Sequence, residues 1–161
     1  MLHRVELGLT GAVKHVLLFW SLRRSPIHQD HPALVAARNS WRAVQAKDRE
    51  SWLALMDRDV CIEDPIGMAP TNPTGRGVSG LAAVAEFWDK NIAPSTIRIE
   101  THESFVAANE SAHVLTLTTT FANGMQVSVH GIFTYRLNEA GKLTNLRGYW
   151  KMEDLKIEPP A

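Results

Sequence analysis

The sequence predicts an α+β fold, three helices packed on a curved, mostly antiparallel sheet that encloses an apolar cavity. Two changes of hydrophobic period predict it. From Ala33 to about residue 92 apolar residues recur at helical spacing, interrupted by one strand. After Pro94 the period drops to two, and four alternating runs follow. Helices first and strands afterwards is the pattern of segregated layers. Size is a third observation: 161 residues, 45% hydrophobic and 21% charged, make one domain with a real core rather than two.

The stretch ALVAARNSWRAVQAKD at 33–48 puts Leu34, Ala37, Trp41 and Val44 on one stripe, which predicts the first helix. Asp48 is a suitable N-cap for the second, RESWLALMDR, with Trp52, Leu55 and Met56 on one side. RDVCIED at 58–64 is a strand in which Val60, Ile62 and Asp64 share a face. A long loop follows through PIGMAPTNPTGRGV, and Ser79 is placed to cap a third helix, GLAAVAEFWDKNI, with Val84, Phe87 and Trp88 inward. STIRIETHESFVAA, SAHVLTLTTTF, MQVSVHGIFTYRL and KLTNLRGYWKMEDLKI read as four strands, with turns at Asn109-Glu110, Asn123-Gly124 and 138–141. Val127, Val129, Phe133, Tyr135 and Leu137 share one face, and so do Leu146, Gly148, Trp150 and Met152. In 111–122, Thr116, Thr118 and Thr120 are expected inward, making the cavity more polar, with Leu115 and Leu117 on an exposed face.

Residues 1–31 read as an N-terminal extension ahead of a domain at 32–161, with SPIHQDHP as linker. The run LGLTGAVKHVLLFWSLRR is interrupted by Lys14 and His15, too short and too polar to span a bilayer, and it lacks a cleavage motif. It is either a poorly packed extension, a helix laid on the domain, or the result of a start codon set too early. Lys+Arg and Asp+Glu balance at 17 each, so there is no basic field for nucleic acid or an anionic membrane. A single cysteine, Cys61, excludes an intrachain disulfide and fits a cytoplasmic setting.

Chemistry concentrates at Asp64. Asp-Pro is a turn starter, since proline forces the preceding residue to be extended. The parity of Asp64 with Val60 and Ile62 points the other way, to a carboxylate at the mouth of an apolar cavity. Desolvation there raises its pKa and suits it to move protons near neutral pH. The histidines make no convincing metal site, and GRGVSG at 75–80 lacks the strand and lysine of a phosphate loop. Cys61 faces away from Asp64, as an inert thiol would. Ser40 is either a bland small residue of the first helix or a hydroxyl pointing into the cavity.

Ala-x-Asp at 46–48, DVCIEDPIG at 59–67, the helix carrying Phe87, and GYW at 148–150 resemble the NTF2-like superfamily in its SnoaL-like, ketosteroid isomerase-like branch. The resemblance spans about 33–157, and SWRAVQAKDRESWLALM, GIFTYR and NLRGYW look most like mycobacterial-type ketosteroid isomerase-related proteins. It implies a cone-shaped fold around an apolar pocket, a homodimer through the sheet, a hydrophobic small-molecule ligand and no cofactor. It places Asp64 as the base that moves a proton beside a carbonyl. In the isomerases the enolate is held by a tyrosine and by a protonated aspartic acid, the known case of a carboxylic acid kept neutral by an apolar site. Here Ser40 and Phe133 stand at those positions. The replacement donors implied are Ser40 and the Trp88 indole, and the substrate-binding residues are Val44, Phe87, Thr116, Thr118, Val129, Phe133, Leu146 and Trp150. Two functions follow: a cofactor-free isomerase (or related cyclase or lyase), and a steroid- or polyketide-binding protein without turnover.

Overall fold

The computed structural model describes residues 31–160; the extension read at 1–31 lies, apart from His31, outside the described residues. Helix α1, Pro32–Ala46, begins with proline in its first turn and leaves through Lys47 in the left-handed conformation (φ 60°). Its buried stripe includes Ala33, Ala37, Trp41 and Val44. Helix α2, Arg49–Ala54, is capped by Asp48, whose carboxylate accepts from the Ser51 N–H at 2.9 Å. Strand β1, Met56–Glu63, then carries Val60 and Ile62 into the core.

Ser79 does not cap a helix. It lies in a short strand β2, Val78–Ser79, opposite Cys61 of β1. Helix α3, Leu81–Phe87, starts from Gly80 with no side-chain cap, because the β1 partner holds Ser79 in extended backbone one residue too early. Its last residues widen into a π-helical turn, Trp88–Ile92, closed by Ala93 N–H donating to Trp88 O at 2.9 Å. Arg49 grips Asp89 of that turn through two bonds, at 2.9 and 3.1 Å.

Strands β3 (Thr96–Ala107), β4 (Glu110–Thr120), β5 (Gln126–Leu137) and β6 (Leu143–Tyr149) complete a sheet of order β2-β1-β6-β5-β4-β3. Only β1 and β6 run parallel among the described strands. The last expected strand is broken: after β6 comes a 3-10 turn, Met152–Asp154, and then β7, Lys156–Glu158, which pairs with β5. Bulges between Thr101 and Glu103 and between Arg136 and Leu137 curve the sheet around the helices. The β3–β4 turn falls at Ala108-Asn109, one residue earlier than expected, with Ala108 at φ 50°.

The β4–β5 hairpin corrects the parity of a whole strand. A two-residue turn at Asn123-Gly124 would pair Thr118 with Val129 and send the threonines inward. Instead the chain reverses over residues 122–124, with Phe121 N–H donating to Met125 O at 2.9 Å and Gly124 at φ 83°. Leu117 therefore pairs with Val129 and Thr118 with Ser128. That one-residue difference turns every side chain of β4 over. Leu115 is buried at 1% exposure, and the leucines face the helices rather than solvent.

Candidate active site

Sheet and helices enclose an apolar cavity of about 390 Å³, a size suited to a small organic ligand. Val44 of α1, Phe87 of α3, Val129 and Phe133 of β5, Leu146 of β6, and Trp150 all line it. Thr116 and Thr118 do not. The parity of β4 puts them on the outer face, where the Thr116 hydroxyl meets His102 Nε2 at 2.8 Å and His130 Nδ1 at 3.1 Å. Leu115 and Leu117 take their place in the lining.

Trp88 also lies outside the lining. It is 2% exposed and packs at a tilt against Trp52, ring centroids 5.2 Å apart. It follows Val84 by one helical turn on the side toward α2, whereas Phe87 and Asn91 form the stripe that faces the cavity. Its indole is thus no donor to a cavity ligand.

Asp64 follows β1 on the inward face and opens on the cavity. The residue as a whole is half-buried, and protein surrounds its carboxyl. Trp150 Nε1–H donates to Asp64 Oδ1 at 2.6 Å. Desolvation lifts its pKa from the usual carboxylate range to about 6, and the indole hydrogen bond holds back part of the rise. Gly148 makes room for the pair: a Cβ there would overlap Asp64 Oδ1 and come within 2.7 Å of Trp150 Nε1.

The Pro/Gly loop after Asp64 is pinned rather than free. The Asp64-Pro65 peptide is cis. Asn72, with no exposed surface, donates to Pro65 O at 3.0 Å and accepts from Gly77 N–H at 2.9 Å. Thr71 donates to the Asp64 carbonyl, and Ile66 N–H donates to Gly148 O at 3.0 Å. The backbone on both sides of Asp64 is therefore fixed.

Ser40 lines the cavity at 2% exposure, and its Oγ accepts the Trp52 indole N–H at 3.0 Å. Tyr135, not among the expected site residues, lines it too. It is 4% exposed, and its Oη accepts the Trp41 indole N–H at 2.7 Å. Burial pushes its pKa far above the usual phenol value and the nearby Asp64 charge adds to this, against the indole hydrogen bond. Its parity with Val129 and Phe133 is the signal in the sequence that marks it as inward. Behind this layer, His113 has no exposed surface and lies edge-on to Trp41 at 4.8 Å. Ser111 donates to Ala33 O at 3.2 Å, so it accepts from His113 Nε2–H at 2.8 Å, which leaves Nδ1 to accept from Ser104 at 2.9 Å. Burial lowers the His113 pKa to about 4, with the Arg38 charge adding to it. Among the described residues, no three His, Cys, Asp or Glu come together to hold a metal.

The sequence of this domain matches a known family. The model of the SnoaL-like domain fits residues 37–146, and the chain belongs to that family, which is NTF2-like in fold. A Delta 5-3-ketosteroid isomerase from Mycobacterium sp. is 50% identical, with a TM-score of 0.78, over 80% of this chain and 99% of that one. RV0760c from Mycobacterium tuberculosis is 48% identical, with a TM-score of 0.77, over 80% and 97%. RV0760c has also been solved in complex with estradiol-17beta-hemisuccinate. A computationally designed 17-OHP binder is 45% identical, with a TM-score of 0.79, over 80% and 100%.

Proposed function

We propose that this chain binds a steroid-like hydrophobic molecule in the cavity and isomerises it by cofactor-free proton transfer, with Asp64 as base. The observation that carries the reading is a carboxylate set among apolar groups, its pKa near 6, opening on a cavity of about 390 Å³. The isomerase and the steroid complex among its relatives support the same ligand class.

Trp150 engages Oδ1, which leaves Oδ2 to move the proton. A ketone seated with its α carbon against Oδ2 gives up a proton, and the C–H electron pair passes into the carbonyl as an enolate. The carboxyl returns that proton at the γ carbon, and the double bond moves into conjugation. Nothing is oxidised or reduced. A pKa near 6 leaves the group mostly ionised at neutral pH yet basic enough to work.

Phe133, at 2% exposure where the isomerases keep an acid, favours a second reading: a binding protein without turnover. Asp64→Asn separates the two. We expect it to abolish isomerisation of a β,γ-unsaturated ketosteroid while steroid binding stays within a few fold. Equal turnover by the variant refutes the base assignment. The working unit is the domain at 32–161, in the cytoplasm, paired as a homodimer. The outer sheet face, with Phe105, Ile132 and Tyr149 exposed, suits that pairing in place of the leucines first expected there.

A further inference from the structure

Three indoles of the cavity wall each donate to a polar group of that wall. Trp150 serves Asp64, Trp52 serves Ser40, and Trp41 serves Tyr135. Other polar side chains of the lining are engaged elsewhere: Thr71 with the Asp64 carbonyl, Asn91 with Phe87 O, Lys90 with Glu86. Thr119, half-buried, lies near the hairpin.

The two hydroxyls differ from the rest in one respect. An indole N–H fills an acceptor site of each oxygen, and an indole has no lone pair to accept in return. Each hydroxyl therefore keeps its own proton to give, and no described residue accepts it. For Tyr135 this is a phenolic donor at 4% exposure, and a donor so buried is costly without a partner.

We propose that Tyr135 Oη–H, polarised by Trp41, is the donor that receives the ligand's carbonyl or enolate oxygen, with Ser40 as a second donor polarised by Trp52. This rests on the isomerase-like reading above and supplies the donors that Phe133 and Trp88 do not. Hydrogen bonds in series strengthen one another, so the Trp41 bond makes Tyr135 a better donor. Burial and the Asp64 charge keep the phenol protonated, so it gives a proton bond and does not become a second anion. Tyr135 lies two residues from Phe133 on the same face of β5, so a short shift along one strand moves the donor site from one residue to the other.

The test uses the full chain and two probes, equilenin, a phenolic steroid that mimics the enolate, and its 3-deoxy analogue. Fluorescence titration measures both against wild type and Tyr135→Phe, with circular dichroism to confirm that the variant is folded. We expect Tyr135→Phe to weaken equilenin roughly tenfold and leave the 3-deoxy analogue unchanged. Trp41→Phe should weaken equilenin in the same selective way, by less. Unchanged equilenin binding in the folded Tyr135→Phe protein overturns the assignment. Equal loss for both probes also overturns it, since Tyr135 then only shapes the cavity. Wild-type protein that binds neither probe overturns the steroid reading and the donor assignment together.

Discussion

Gly148→Ala places one methyl group where the site has no room for it. The added Cβ would overlap Asp64 Oδ1, and would stand 2.7 Å from Trp150 Nε1 and 3.0 Å from Trp150 Cδ1. The 2.6 Å bond between indole and carboxylate cannot survive in place. A hydrogen bond to a charged group is worth about 2 kcal/mol. At about 1.4 kcal/mol per pH unit, its loss lifts the Asp64 pKa by about 1.5 units above its value near 6. Asp64 then loses its ionised form at neutral pH. The assay is the pH profile of kcat/KM for a β,γ-unsaturated ketosteroid, read beside a thermal melt. Wild type should lose activity below about pH 6, and Gly148→Ala should move that limb toward pH 7.5. Trp150→Phe, which removes the donor without the clash, should shift the limb the same way. A Gly148→Ala profile that overlays wild type would refute the coupling of Asp64 to Trp150.

Other expectations concern activity, stability and the loop. Phe133→Asp should raise isomerase activity, since it restores an acid at a buried position of the lining; no gain in a folded variant counts against that alignment. Asn72→Ala should lower stability by about 2 kcal/mol in denaturant titration, because it strands Pro65 O and Gly77 N–H; a cost near zero would mean the loop is not pinned there. His113 and Asp64 should oppose each other in the pH dependence of stability. The His113 pKa is lowered to about 4, so its penalty grows as pH falls from 6.5 to 4. The Asp64 pKa is raised from 3.8 to about 6, so its contribution is full below 3.8 and is lost as pH rises through 6. Between pH 4 and 6 the two slopes nearly cancel. In Asp64→Asn the His113 slope should emerge, about 1.4 kcal/mol lost per pH unit on acidification, and an unchanged slope would refute the pairing.

Much of this was legible in the sequence. The Asp48 cap, the inward stripe of α1 and the inner face of β5 are local patterns, and the folded protein has all three. Asp64 could be singled out because a carboxylate ends an apolar stripe. What failed depends on partners at a distance. Both faces of β4 are apolar enough to be buried, so only its pairing with β5 decides which one is, and a one-residue change in the hairpin reversed it. Ser79 looked like a cap because nothing local announces that Cys61 pairs with it. Trp88 is buried as expected, but its neighbour is Trp52 and not the cavity. Tyr135 was visible on the inner face of β5, yet its role depends on Trp41, 94 positions away in the chain.

The proposed function stands on Asp64 as a carboxylate whose pKa is raised to about 6 at an apolar cavity. Its most direct test is the titration of the Asp64 side-chain carboxyl by carbon-13 NMR in the ligand-free protein. We expect a midpoint near pH 6, coincident with the acid limb of kcat/KM. A midpoint at the ordinary value near 3.8, or a kinetic limb that does not track the titration, would contradict it.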